Sequence, residues 1–298
     1  MFKNEIKKRF KNPLNLLWFI LLPIGWFLGT STIRMNIDTI KQGVEMLANR
    51  PNASAEAIRI TQAAADGING FMVFAEGISE FYVVIAIVLL VGILFSASFV
   101  YDKNTGFGNF VLTRTSFKKY YISKASSIFL SAFFMIFFVL TLVLLGSVIV
   151  YSATTPTEAF NSAMIEGSSL TKLFFSHHWL SCFIMIFTVS VYGGLYALLG
   201  MGVSYFTSNR FVICASPLAI FLFCTLFPQL FSVQSPIAKW FAWIFPSYFT
   251  GMFIGNDFWY SKLPVLATYL IHLAVLAVPT AALLFLLYRK NQKQYVRA

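Results

Sequence analysis

Six stretches of the chain are each long and apolar enough, at about 19 residues or more, to thread a hydrocarbon core as helices. They run Leu14–Ile33, Phe81–Phe99, Ser126–Val150, Trp179–Phe206, Phe211–Phe231 and Leu263–Tyr288. Nothing else in the sequence constrains the fold as tightly. Inside lipid a backbone amide finds no water, so each segment must satisfy its own N–H and C=O groups, and a helix does so. Composition agrees, with 58% hydrophobic residues, 11% charged residues and 34 Phe among 298 positions. A soluble globule carries about a quarter charged residues. The pattern predicts an all-α membrane protein with six transmembrane helices.

Charge orients the spans. With both termini on one side, that side holds 15 of the 22 Lys and Arg residues, among them Lys3, Lys7, Lys8, Lys118, Lys119, Lys124, Arg210, Arg289 and Lys290. It holds only Glu5 and Asp102 of the 11 acids. Its net charge is about +13 against about −2 opposite, and the Lys/Arg excess marks the cytosol. Both termini are therefore expected in the cytosol. The pI near 9.6 would also suit a nucleic-acid binder. Here the basic residues flank spans, where orientation and anionic headgroups account for them. Cys182, Cys214 and Cys224 fall inside predicted spans and read as small core residues with no redox message. The first span is too long for a cleavable signal, and no small-residue cleavage site follows it.

Residues 1–13 form a basic amphipathic segment. Phe2, Ile6, Phe10 and Leu14 recur every four residues, with Lys3, Lys7, Lys8 and Lys11 on other faces. This spacing predicts an interfacial helix bent by Pro13 into the first span, although a plain basic flank would also explain the lysines. Residues 14–298 make up the six-span domain. Within it, residues 34–80 form an external loop. Ile37, Ile40, Val44 and Leu47 keep helical spacing up to Arg50–Pro51–Asn52, and a second helical run follows from Ser54, so a helical hairpin is expected there. The cytosolic loop 101–124 contains a short helix from about Asn109 to Thr113, in which Phe110, Val111 and Leu112 are too apolar for solvent. Such residues need a partner protein or the bilayer surface to cover them.

Between the last two spans, Pro236 and Pro246 bracket a run containing Trp240 and Trp243. This run is about half a crossing long, so residues 236–250 are expected to dip into the outer leaflet and return, with the tryptophans at headgroup level. A plain aromatic interfacial loop is the alternative. Small residues at four-residue spacing, with Gly25 and Gly29 in span one and Gly193, Gly194 and Gly200 in span four, let helices approach closely in lipid.

Several chemistries lack their residues. No His-Glu-x-x-His, Gly-x-Ser-x-Gly or Asp-rich Mg²⁺ motif occurs, which leaves zinc proteolysis, serine hydrolysis and prenyl transfer without a constellation. Gly106-Phe107-Gly108 has no following lysine, so it is no phosphate loop. The chain itself is not expected to be an enzyme or to hold a metal or cofactor. Ion-coupled transporters keep ionisable groups in lipid because function demands them. The one such residue deep in a predicted span is His272, read either as a packing histidine or as a relay.

The order of parts resembles the permease subunit of a type-2 ABC exporter, the ABC-2 membrane family. The resemblance is carried by Lys11-Asn12-Pro13-Leu14 with Leu22-Pro23 entering span one, by Gly106–Lys124 with Thr113-Arg114 and Ser123-Lys124 leading into span three, and by Pro236 and Pro246. It implies an interfacial N-terminal helix, six spans with cytosolic ends and a re-entrant hairpin before span six. It also implies a first cytosolic loop docked on a separate cytosolic ATPase, present in two copies, which binds the ATP and Mg. On this resemblance Gly106, Asn109, Phe110, Val111, Leu112 and Arg114 form the ATPase contact, and a second permease copy or a related permease completes the pore. The external loop is longer than in many members. The setting would be a cell membrane, most simply a bacterial one. Aromatic positions Trp18, Trp26, Phe27, Phe221, Phe223 and Phe227 are candidates for the pore lining. An uncharged aromatic passage favours a hydrophobic or amphipathic cargo (a peptide, drug or lipid-like molecule) over a polar glycan, unless these rings face lipid. The alternative function is a secondary transporter or channel that uses His272 as its relay.

Overall fold

The computed structural model describes residues 12–31, 69–79, 81–151, 171–230 and 265–296, with scattered positions at 6–7 and between 35 and 55. Among the described residues the chain is helical, with no strand. A 3₁₀ turn at Pro13–Asn15 leads into α1 (Leu16–Gly29). Then come α2 (Gly70–Ser79), α3 (Phe81–Val91), a π-helical segment at Gly92–Ser96 and α4 (Ser98–Asn104). After α5 (Phe107–Leu112) follow α6 (Phe117–Tyr151), α7 (Thr171–Ser176), α8 (His178–Val203), α9 (Arg210–Leu226) and α10 (Val265–Val296).

Among the described residues, four helices are long and apolar enough to cross a membrane: Tyr82–Asn104, Phe117–Tyr151, His178–Val203 and Leu273–Lys293. The apolar helices Pro13–Leu28 and Arg210–Leu226 are shorter. At 1.5 Å per residue, they are roughly 24 and 26 Å long, where the sequence predicts spans of full length. The Thr30 hydroxyl donates to the Phe27 carbonyl at the end of α1. Past Leu226 the chain tightens into 3₁₀ geometry over Phe227–Leu230, with Pro228 inside it. The second and third predicted spans and the end of the sixth overrun their predicted limits, while α8 stops at Val203, short of the expected Phe206. At 35 residues, α6 is roughly 50 Å long, well beyond a 30 Å core. Because α4 and the first turns of α6 are helical, the loop read as 101–124 shrinks to the short connection around α5. A helix continues past the lipid boundary wherever its backbone pairs and its side chains find partners, and here they do.

The core lies where α6 and α8 pack side by side, with α1, α2, α3 and α9 around them. Ile87, Ile128, Ile136, Leu140, Ile186 and Ala197 are fully buried there. Close approach requires glycine at a few places. A Cβ on Gly193 would run into Ile136, one on Gly194 into Phe129, and one on Gly200 into Ser96. Gly25 faces the Tyr82 carbonyl, which lies 3.4 Å from where a Cβ would stand. Helix α2 belongs to the core as well, although its residues fall at the end of the stretch read as an external loop. Phe71, Met72, Val73, Phe74 and Ile78 are all buried. Asn69 caps the helix by accepting from the Phe71 and Met72 amides at 3.1 and 3.0 Å, and the Ser147 hydroxyl donates to the Gly70 carbonyl. The rest of the expected hairpin between 34 and 68 lies outside the described residues, apart from isolated positions.

The π segment has a physical setting of its own. A π turn widens the helix and leaves carbonyls off the regular ladder. The Ile93 carbonyl faces the Cys214 thiol of α9 at 4.0 Å, and the Ser96 hydroxyl reaches the Ala197 carbonyl of α8 at 3.5 Å. Gly92 lies so close to the Cys214 carbonyl that no Cβ would fit. On α9 itself, Pro217 cannot donate to the Ile213 carbonyl, and the Ser216 hydroxyl donates to it instead at 2.9 Å, as helices in lipid require.

Candidate functional site

Basic residues collect at one end of the described bundle, where Lys118, Lys119, Arg210, Arg289 and Lys290 lie on the helices. Five ties hold the helix ends together there. The Lys124 ammonium of α6 pairs with the Asp102 carboxylate of α4, and both side chains are almost completely buried, at 3% and 2% exposure. The Tyr120 hydroxyl donates to the same carboxylate oxygen at 3.1 Å. Tyr121 donates to the Leu284 carbonyl of α10 at 2.8 Å, and Lys103 to the Asn291 side chain at 3.3 Å. Lys290 donates to the Tyr205 carbonyl at 2.6 Å and rests over the Tyr205 ring. Phe117, Tyr121 and Tyr288 stack around these ties.

The buried pair is the structural feature that sequence reasoning misses. From sequence, Asp102 and Lys124 read as two cytosolic flank charges, each inside a polar stretch. Neither looks embedded until α4 and α6 are seen to continue past the expected span ends. A signal was present: Lys124 stands seven residues beyond Phe117 and on the same helical face as Tyr120, Tyr121 and Ile128, all buried. That face is a core stripe. A buried charge survives only when paired and hydrogen-bonded, and removal of one partner is far costlier than removal of both.

Helix α5 hangs from this clasp. Gly106 has φ +73°, the left-handed conformation that glycine adopts without strain, and it turns the chain from α4 into α5. Phe107 and Phe110 are 38% and 57% exposed, and the Arg114 guanidinium lies 4.8 Å from the Phe110 ring centre. Val111 and Leu112 behave otherwise. They pack against the chain's own core, because neighbouring positions on a helix point in different directions. Both are half-buried, whereas Phe107 and Phe110 are exposed. The short helix itself is Phe107–Leu112 and not Asn109–Thr113. Asn109 lies in α5, and its side chain is outside the described residues.

One cavity adjoins the clasp, and a second shares Asn12 and Asn15 with it. The first, of about 350 Å³, is bordered by Asn12, Asn15, Tyr101, Asp102, Lys124 and Arg210 together with the π segment. The second, of about 540 Å³, runs along Leu16 and Phe19 of α1 and Met135 and Phe138 of α6. Arg210 opens α9 behind its cap, Asn209, which accepts from the Phe211 amide at 2.9 Å. Its guanidinium lies 4.7 Å from the centre of the Tyr101 ring.

The aromatic positions considered for a pore fall into three groups. Trp18 and Phe221 are buried in the core of the single chain, Trp26 and Phe227 are half-buried, and Phe27 and Phe223 are exposed. Of the interfacial-helix residues, Ile6 is helical and half-buried, while Phe2 and Phe10 lie outside the described residues. So do Pro236, Trp240, Trp243 and Pro246. Gly29 and His272 lie in α1 and α10, and their surroundings are outside the described residues too. Among the described residues, no group of His, Cys, Asp and Glu could hold a metal ion. No protein-family model, curated protein or solved structure matches this chain.

Proposed function

We propose that the chain is the membrane subunit of an ATP-driven exporter of the ABC-2 type. It would work as a pair of permeases with two separate cytosolic ATPase chains. In this reading the short apolar helices α1 and α9 join the four long ones to make six spans with cytosolic termini, and residues 236–250 form the re-entrant hairpin. The observation that carries it is α5, a short helix that presents Phe107 and Phe110 to solvent at the basic end while its base is clasped by the buried Asp102–Lys124 pair. A rigid apolar knob suits a device that takes up the motion of a partner and passes it to α4 and α6. Exposed apolar patches rimmed by charge mark contact sites, and Arg114 over Phe110 supplies that rim. Nucleotide-driven closure of the partner would then shift the population of membrane-domain states.

The experiment is co-purification of the full-length chain with a cytosolic ATPase from its native membrane, followed by ATPase assays on the wild type and Phe110→Asp. Stimulated hydrolysis that is lost in the variant, with assembly and stability retained, supports the proposal. A variant that couples normally refutes the assignment of α5. Substrate movement by the purified chain alone, down an ion gradient, refutes ATP drive altogether. The secondary-transporter reading gains one observation in its favour, since a buried Asp–Lys pair is also the kind of group that proton relays use. It requires Asp102→Asn to stop transport with no ATPase present.

The proposed cargo is hydrophobic or amphipathic: a peptide, a drug or a lipid-like molecule. Phe27 and Phe223 are the candidates still exposed on the single chain. Export assays with amphipathic peptides and hydrophobic antibiotics, in cells with and without the chain, test it. An unchanged resistance and secretion profile counts against it.

A further inference from the structure

The two cavities differ in chemistry and meet at Asn12 and Asn15. The smaller carries two cations, Lys124 and Arg210, and one anion, Asp102. Asp102 already faces Lys124 and the Tyr120 hydroxyl, whereas Arg210 is exposed at the rim, so the compartment as a whole favours an anion. The larger is walled by Leu16, Phe19, Met135 and Phe138 and offers hydrocarbon contact only, apart from the two shared asparagines. The Phe19 and Phe138 rings meet edge to face at 6.1 Å. From Asn12 to Phe19 the slot runs along the 3₁₀ turn and the first turn of α1, roughly 10 Å, the depth of the upper part of an acyl chain. Each cavity lies in the range of small-molecule sites, which begins at about 300 Å³. A free phosphate would occupy only part of the first and leave the second empty.

We propose that the two cavities together bind one anionic phospholipid of the cytosolic leaflet. The phosphate lies against Arg210, the glycerol region beside Asn12 and Asn15, and the start of one chain in the slot between α1 and α6. Such a lipid would fasten the start of span one to the clasp that carries α5. The inference rests on the charge bias that places the basic end in the cytosol and does not rest on ATP-driven export.

The test is native mass spectrometry of the full-length chain in detergent, titrated with phosphatidylglycerol and with phosphatidylcholine of identical chains. Glycerol phosphate serves as the headgroup-only arm. The expected result is retention of phosphatidylglycerol at least fivefold more tightly than phosphatidylcholine. Arg210→Gln should remove about fivefold of that affinity, the size expected for one cation at an anionic headgroup. Arg210→Lys should keep most of it, and Leu16→Trp should weaken both lipids by filling the slot. Both positions are exposed, so the fold does not depend on them, and the wild-type comparison needs no variant at all. Equal affinity for the two lipids overturns the proposal, and so does a preference that survives Arg210→Gln. Competition by glycerol phosphate at the concentration of the lipid reassigns the site to a free anion, and unchanged binding in Leu16→Trp removes the slot. None of these results alters what Phe110→Asp reports about an ATPase, so the two readings fail separately.

Discussion

Asp102→Asn breaks the clasp with the smallest change of shape. Asparagine has nearly the volume of aspartate and can still accept from Tyr120, but it cannot balance the Lys124 ammonium. Both partners are almost fully buried, so the lysine is left as an unpaired charge with little water to solvate it. Loss of one member of such a pair costs about 3–5 kcal/mol. For a domain of this size about 1 kcal/mol moves the melting temperature by roughly 2–4 °C, so the variant should melt roughly 6–20 °C below the wild type. Lys124→Met should lose a similar amount, because it strands the carboxylate. The decisive arm is the double variant Asp102→Leu with Lys124→Met. Replacement of a whole buried pair by apolar groups is close to neutral, so the double variant should regain most of the loss. The coupling across the cycle should exceed about 2 kcal/mol.

The assay is thermal unfolding of the purified chain in one detergent at one protein concentration, with helicity and tryptophan fluorescence followed together. Tyr120→Phe calibrates it, since loss of one hydrogen bond to a charged acceptor costs about 1–2 kcal/mol and leaves the pair itself in place. The reasoning is refuted if Asp102→Asn melts within about 2 °C of the wild type. It is equally refuted if the double variant loses the sum of the two single losses, because the two charges would then act independently.

Further expectations follow from the packing. Gly193→Ala and Gly200→Ala should each cost about 1–3 kcal/mol through overpacking, because Ile136 and Ser96 occupy the space a methyl needs. Gly146→Ala, in open space within α6, should stabilise by up to about 1 kcal/mol through helix propensity. Unfolding midpoints of the three variants check both signs. Val111→Asp should lower stability in the isolated chain, whereas Phe110→Asp should not, and a thermal melt without any partner separates the inward face of α5 from the outward one. Ser216→Ala should cost about 1 kcal/mol, because the Ile213 carbonyl beside Pro217 loses the donor that replaces the missing amide; a melt reads this directly.

Hydropathy made the helical class and the middles of the long helices legible, because burial and lipid exposure both select apolar residues. The helix ends were not legible. Hydropathy falls where polar side chains begin, yet α4 and α6 continue for several residues beyond that point because Asp102, Lys124 and Tyr120 satisfy one another across helices 18 to 22 residues apart in sequence. Pairing of this kind has no local signature. The same limit applies to α2. The run from Phe71 to Phe74 is apolar, but it is too short to signal a span, and its burial depends on distant surfaces of α1, α6 and α8. Glycine spacing pointed to close approach in span four, while the partners Ile136, Phe129 and Ser96 needed three dimensions. At α5 the sequence located the apolar helix and could not divide Phe110 from Val111 and Leu112, since that depends on which side the core lies.

The placement of polar contacts follows from the solvent on either side of each helix. Midway along the bundle, helices touch through glycine gaps and methyl groups, because lipid tails give two apolar surfaces no strong reason to leave lipid for one another and fit alone must hold them. Toward the basic end the described helices switch to directional ties: Asp102 to Lys124 and Tyr120, Tyr121 to Leu284, Lys103 to Asn291 and Lys290 to Tyr205. The ties to Asp102 are shielded from water, where a hydrogen bond is electrostatically stronger, so they fix α4 against α6 more firmly than the exposed Lys290 contact holds α10. The π segment lies between the two regimes, just above α4. There the regular ladder is interrupted, and the contacts from Cys214 and Ser96 are long. A force applied at α5 would therefore reach a stiff, clasped block first. It would meet the π segment of the first long helix, Tyr82–Asn104, immediately above that block.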